Sequence, residues 1–169
     1  MSQPQIATPD LPHPPRSEPA QPVARVDSLA EFGLMVSRQL TQCRRYGGRL
    51  AVLWLEAQLL AREGQSWEPA AREGLMQALS RRLRSRVRST DEVLQVGEHS
   101  FAVLLLDAGV AEAGIVEQRL MQQLSGPYGV GQELMYVALS LGSAAFPDAG
   151  RHGADLAESA REDLRRRQG

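Results

Sequence analysis

The patterning of this chain predicts an α+β fold: a ferredoxin-like βαββαβ core with an extra helix at its N-terminal side and another at its C-terminal side. Three observations lead there. Leu50–Leu55 is an unbroken apolar run of strand length, as expected of a strand buried on both faces. Glu92–Val96 and Phe101–Leu106 are two short apolar runs separated by Gly97-Glu98-His99-Ser100, the spacing of a β-hairpin. Segments with apolar residues three and four apart alternate with these runs, as amphipathic helices do.

Taken in order, the tail expected over residues 1–24 holds seven of the ten prolines, all before residue 23, and between Met1 and Val23 only Ile6 and Leu11 are bulky and apolar. Such a segment buries too little surface to offset its ordering entropy, so a disordered, partly extended tail is expected. The folded domain is expected over 25–169. Asp27 or Ser28 can cap a first helix with Leu29, Phe32, Met35, Val36 and Leu40 on one face, and Gly47-Gly48 ends it after Tyr46. After the Leu50–Leu55 strand, Pro69 suits the first turn of a long helix whose apolar face is Leu75, Met76, Leu79, Leu83 and Val87. The hairpin follows. A helix over Val110–Leu124 is expected to turn Ile115, Val116, Leu120 and Leu124 inward, and Ser125-Gly126-Pro127 breaks it. Tyr128–Val130 and Glu133–Ala145 are strands around Gly131, and a polar helix closes the chain from about Gly153 to Arg167.

Composition narrows the function. With 169 residues the chain suits one domain, and 19 basic against 20 acidic residues leave a net charge of −1. That balance argues against a dedicated nucleic-acid binder. All the basic residues are arginine. A lone cysteine, Cys43, excludes an internal disulfide and suits a reducing compartment. No apolar run approaches the length that spans a bilayer. The expected location is the cytoplasm.

Four segments, in order and at matching spacing, resemble the GGDEF family of bacterial diguanylate cyclases, which join two GTP molecules into cyclic di-GMP. They are the helix end and strand Arg44–Glu56, the Arg88–Asp91 motif and the hairpin signature Gly97–Phe101, both within Arg82–Asp107, and Ser140–Asp148 with its Ser-x-Gly-x-Ala-x-Phe-Pro pattern. The resemblance runs from about Leu29 to Gly169. Departures from the family pattern fall on its catalytic positions. Its Gly-Gly-acid-Glu-Phe signature reads Gly97-Glu98-His99-Ser100-Phe101 here. Glu98 places a charged side chain where the family brings bare backbone to its nucleotide, and Ser100 lacks the carboxylate. The family's metal-binding aspartate falls on Glu56 and its next acidic position on Gln58. Its motif before the first helix has no counterpart, and its phosphate-binding lysine falls on Arg166. Two Mg²⁺ ions need hard anionic oxygens, so the Mg²⁺ site is expected to be lost and the chain is expected not to be an enzyme, with no catalytic residues and no cofactor. His99 with Glu56 supplies only two candidate ligands, too few for a metal site.

One motif of the family is kept. Arg88-Ser89-Thr90-Asp91 is an Arg-x-x-Asp with its aspartate six residues before Gly97, the spacing of the family's inhibitory site. The resemblance implies that Arg88 and Asp91, with Arg119 from the next helix, bind cyclic di-GMP. The chemistry is sound: an arginine fork matches the two acceptors on one guanine edge, and a carboxylate matches its Watson–Crick donors. A plain surface ion pair is the alternative reading of Arg88 and Asp91, and a solvated helix end that of the neighbouring arginines. The leading expectation is therefore a catalytically inactive signalling receptor for cyclic di-GMP. It would act on a protein partner, such as a cyclase or an exopolysaccharide or motility component, without nucleic acid or a membrane span. The alternative is a nucleotide-independent scaffold. Elsewhere, Trp54 is expected in the core rather than as a base-stacking platform, Trp67 as either of these, His13 in the tail, and His152 capping the last helix or exposed. Cys43 is an incidental thiol, and Arg165–Arg167 suit a helix C-terminus.

Overall fold

The computed structural model describes residues 23–149 and 152–169. Most of the expected tail therefore lies outside the described residues, His13 included. The element order is β1 (Ala24–Val26), α1 (Leu29–Tyr46), β2 (Leu50–Leu60), α2 (Pro69–Arg86), β3 (Glu92–Val96), β4 (Ser100–Leu106), α3 (Val110–Leu124), β5 (Gly126–Val130), β6 (Glu133–Phe146) and α4 (Gly153–Gln168). Six strands form one sheet in the order β1-β3-β4-β2-β6-β5. The four strands β3-β4-β2-β6 are antiparallel and carry the ferredoxin-like connectivity.

Every residue from Leu50 to Leu55 is buried, because β2 is central and helices lie on both faces of the sheet. Alternation divides the strand. Ala51, Leu53 and Leu55 join a core with Leu79, Leu83, Leu120 and Leu124 of α2 and α3. Leu50, Val52 and Trp54 join a second core with Phe32, Val36, Leu40, Leu156 and Leu164 of α1 and α4. The caps of α1 are those the sequence predicts. The Ser28 hydroxyl accepts from the Glu31 N–H at 3.1 Å, and Gly47 ends the helix in the left-handed region at φ 73°.

Three expectations are corrected. Ile115 does not face inward; it is 67% exposed, and Ala113, Glu117, Leu120 and Leu124 are the buried positions of α3. The 113-117-120-124 spacing follows one helical stripe, and residue 115 lies two positions off it. The carboxylate of Glu117 is buried there because Arg167 of α4 reaches it at 2.7 Å, while the other Arg167 nitrogen holds Asp163 at 2.7 Å. Second, Ala24 belongs to a strand rather than to the tail: β1 pairs in parallel with β3, Ala24 opposite Leu94 and Val26 opposite Val96. Third, β2 runs on to Leu60, five residues past the apolar run, paired with β6 throughout.

The sheet meets α4 so closely at Gly142 that a Cβ there would overlap the Ala160 carbonyl oxygen and the Leu164 nitrogen, whereas one on Gly114 of α3 would meet open space. Gly142→Ala should therefore cost about 3 kcal/mol, and Gly114→Ala should add up to about 1 kcal/mol through helix propensity. Urea unfolding of the two variants checks the opposite signs.

Candidate functional site

Two places on the domain carry the residues that the sequence singles out, at opposite ends of β3. The first is the turn of the β3–β4 hairpin. Gly97 opens it with φ 69°, a conformation that side chains disfavour, and the Gln95 amide braces it from within by donating to the carbonyls of Gly97 and Glu98 at 3.2 and 3.4 Å. The Gly97 N–H donates to Val26 of β1, and the His99 carbonyl accepts from Ala57 of β2, so the turn is tied to both neighbours by main chain. Phe101 is fully buried beneath it. Glu98 and His99 are exposed and face each other at 3.8 Å.

Ser100 stands directly opposite Glu56 in the β2–β4 register. The Glu56 carboxylate accepts the Trp54 indole N–H at 3.2 Å, two residues back on the same strand face. Trp54 itself is core, as predicted. Beside the hairpin an open cleft of about 820 Å³ runs between α2 and β1, with Arg25, Arg72, Glu73, Glu98 and His99 on its walls. A smaller hollow of about 360 Å³ adjoins it at Gln58, Trp67 and His99. Trp67 is half-buried and packs on the α2–α3 core. Among the described residues, no three His, Cys, Asp or Glu side chains gather at one point. These are the side chains a magnesium ion would meet at this corner: Ser100 is neutral, Gln58 is neutral, Glu56 is engaged by Trp54, and the carboxylate of Glu98 stands out on the exposed turn.

The second place is the C-terminal end of α2. The chain leaves the helix at Val87 and turns back through Arg88–Asp91, with the Asp91 N–H donating to the Arg88 carbonyl at 3.0 Å. Asp91 is buried, with 2% of its side chain exposed. Its carboxylate accepts the Arg88 N–H at 3.0 Å, the Leu106 N–H at 3.3 Å and the Arg88 guanidinium at 3.4 Å. Arg88 also donates to the Leu106 carbonyl, yet 58% of its side chain stays exposed. Arg84 donates to the carbonyls of Asp91 and Arg88. Arg119 of α3 donates to the Arg86 carbonyl at 2.9 Å, so α3 does bring it to this end of the fold. Arg88 and Asp91 thus face each other rather than a common opening. The Asp91 oxygens are spent on main chain, and it is Arg88 and Arg119 that present free N–H groups to solvent.

The role of Leu106 and Arg84 was not visible in the sequence, because it is played through main-chain atoms and through pairing of β4 against the α2–β3 turn. The Trp54–Glu56 contact did leave a signal, since residues two apart on a strand share a face. Cys43 packs against the α1–α4 core, and burial, then the nearby Asp107, push its thiol above the ordinary value, opposite to a reactive cysteine. His152 is exposed at the start of α4 and makes no side-chain cap. Arg166 reaches Asp163 at 3.7 Å.

A six-stranded mixed sheet whose four central strands have ferredoxin-like connectivity, layered by two helix pairs and bearing a tight hairpin beside an open cleft, is the architecture of nucleotidyl-cyclase-like α+β domains. The chain belongs to the diguanylate cyclase GGDEF domain family, whose model matches residues 24–168. A curated relative, the cyclic di-GMP phosphodiesterase NbdA of Pseudomonas aeruginosa, is 29% identical over 144 residues, covering 82% of this chain but 18% of NbdA. The chain thus spans less than a fifth of the length of that relative. Among solved structures, the GGDEF domain of YfiN (TpbB) from P. aeruginosa superposes with a TM-score of 0.76 at 23% identity, covering 87% of this chain and 92% of that one. The diguanylate cyclase SiaD of P. aeruginosa, solved in complex with its activator SiaC, superposes with a TM-score of 0.69 at 20% identity, covering 85% and 58%.

Removing the Asp91 carboxylate leaves the Arg88 and Leu106 N–H groups without their buried acceptor. Asp91→Ala should cost about 2–3 kcal/mol, whereas Arg88→Ala, whose side chain is mostly in water, should cost about 1 kcal/mol or less. Thermal or urea unfolding of the pair measures the asymmetry.

Proposed function

We propose that this GGDEF domain does not catalyse and serves cyclic di-GMP signalling as an interaction module that needs no nucleotide to hold its shape or its contacts. The observation that carries the first half is the pairing of Ser100 with Glu56. Where a cyclase needs two free carboxylates on adjacent strands, one position is a hydroxyl and the other is occupied by the Trp54 indole. The burial of Asp91 supports the second half. A carboxylate already holding two N–H groups and a guanidinium accepts from a guanine only by giving those up, each at the cost of a buried donor left unmade. Its role is to staple the α2–β3 turn to β4. That SiaD, a fold relative, was solved with a protein activator is compatible with a GGDEF domain presenting a protein-binding surface.

A second reading rests on the exposure of Arg88. In it the domain is a cyclic di-GMP receptor in which Arg88 and Arg119 contact the ligand, and Asp91 orients Arg88 without touching the base. The two readings part in a pair of measurements. Incubation with GTP and Mg²⁺ should yield no cyclic di-GMP above the rate without protein; turnover would overturn the non-catalytic assignment. Calorimetry with cyclic di-GMP should give no binding heat. Heat that disappears in Arg88→Ala while the fold is kept would replace the module with the receptor.

A further inference from the structure

The end of the domain around the C-terminus of α2 is strongly and unevenly charged. Arg81, Arg82, Arg84, Arg86, Arg88 and Arg119 lie on the last turns of α2, the turn after it and the facing part of α3, with Asp91, Glu92 and Asp107, which follows Leu106, as the nearby acids, leaving this end at +3. Because the whole chain carries −1, the remainder carries −4. A helix C-terminus attracts cations, but its dipole amounts to roughly half an elementary charge and does not neutralise six guanidinium groups. Nor do acids. Of these arginines, only Arg88 contacts a carboxylate among the described residues, and that one is the buried Asp91. The others bond to main-chain carbonyls or to nothing: Arg84 to Asp91 and Arg88, Arg119 to Arg86, and Arg82 to Pro127 while lying 3.7 Å over the Tyr128 ring. Carbonyl anchors hold a guanidinium in place without spending its charge, and one or two such bonds leave others of its five N–H donors unused. Arginines fixed in this way lose little entropy on meeting an anion.

We propose that this basic end is a docking surface for an acidic segment of a partner protein, an inference that rests on reading the domain as an interaction module. Charge complementarity chooses the occupant. An acidic segment has a finite length that matches a finite patch, whereas a nucleic acid carries its phosphates onward across a remainder of net charge −4. Such a contact steers association and weakens as salt rises.

The test uses the full chain and a fluorescein-labelled octaglutamate peptide, read by fluorescence anisotropy at about 25 mM salt, where screening is weak. Arg81 and Arg86 donate no side-chain hydrogen bond among the described residues, so Arg81→Gln with Arg86→Gln removes charge without removing an anchor. Saturable binding is expected, weakened at least about fivefold in that double variant. The same change of charge elsewhere, Arg38→Gln with Arg62→Gln, should leave it within about twofold. Absence of peptide binding, equal weakening by both double variants, or tighter binding of a single-stranded octathymidylate would each overturn the docking surface. None of these outcomes bears on catalysis, which the GTP assay decides separately.

Discussion

The covering of β2 on both faces is the constraint from which the rest of the domain follows. Six consecutive apolar side chains alternate between two sides of the sheet, so neither side can be left to water. One helix pair is not enough: α2 and α3 cover Ala51, Leu53 and Leu55, while α1 and α4 cover Leu50, Val52 and Trp54. The burial of each Leu or Val in this strand contributes about 2 kcal/mol. Placing β2 at the centre also sets β4 and β6 on either side of it, and thereby brings the hairpin turn and the start of α2 to the same end of the sheet.

What the sequence made legible was whatever is written in side-chain periodicity or in backbone-specific residues. The Ser28 cap, the Gly47 stop, the Pro69 start and the hairpin around Gly97 all stand where local chemistry places them. What stayed hidden was decided by pairing with distant chain. Ala24–Val26 is too short to show a period and becomes a strand only because β3 offers it an edge. The polar half of β2 follows β6 outward although Glu56, Gln58 and Leu60 lie on a face that no apolar pattern marks. Ile115 looked like core because it is apolar, yet Glu117 is the buried position, because Arg167, fifty residues on and bridged to Asp163, meets its carboxylate.

The candidate site divides along the same line. Loss of the carboxylate at Ser100 and the intrusion of Glu98 are matters of residue identity and could be read directly. The state of Arg88 and Asp91 could not, because an Arg-x-x-Asp motif has the same letters whether its two side chains aim outward at a ligand or inward at each other. The deciding atoms are the Leu106 N–H and carbonyl, which bring β4 against the turn and draw the carboxylate under it.

The bracing of the hairpin carries a consequence for how such a domain changes over time. The turn is held by the free backbone of Gly97, the Gln95 amide and main-chain bonds to β1 and β2, none of which consults the side chains at 98, 99 or 100. This exposed turn is therefore mechanically independent of its own decoration. Those three positions can shed one chemistry, or acquire another, without the architecture beneath them registering the exchange.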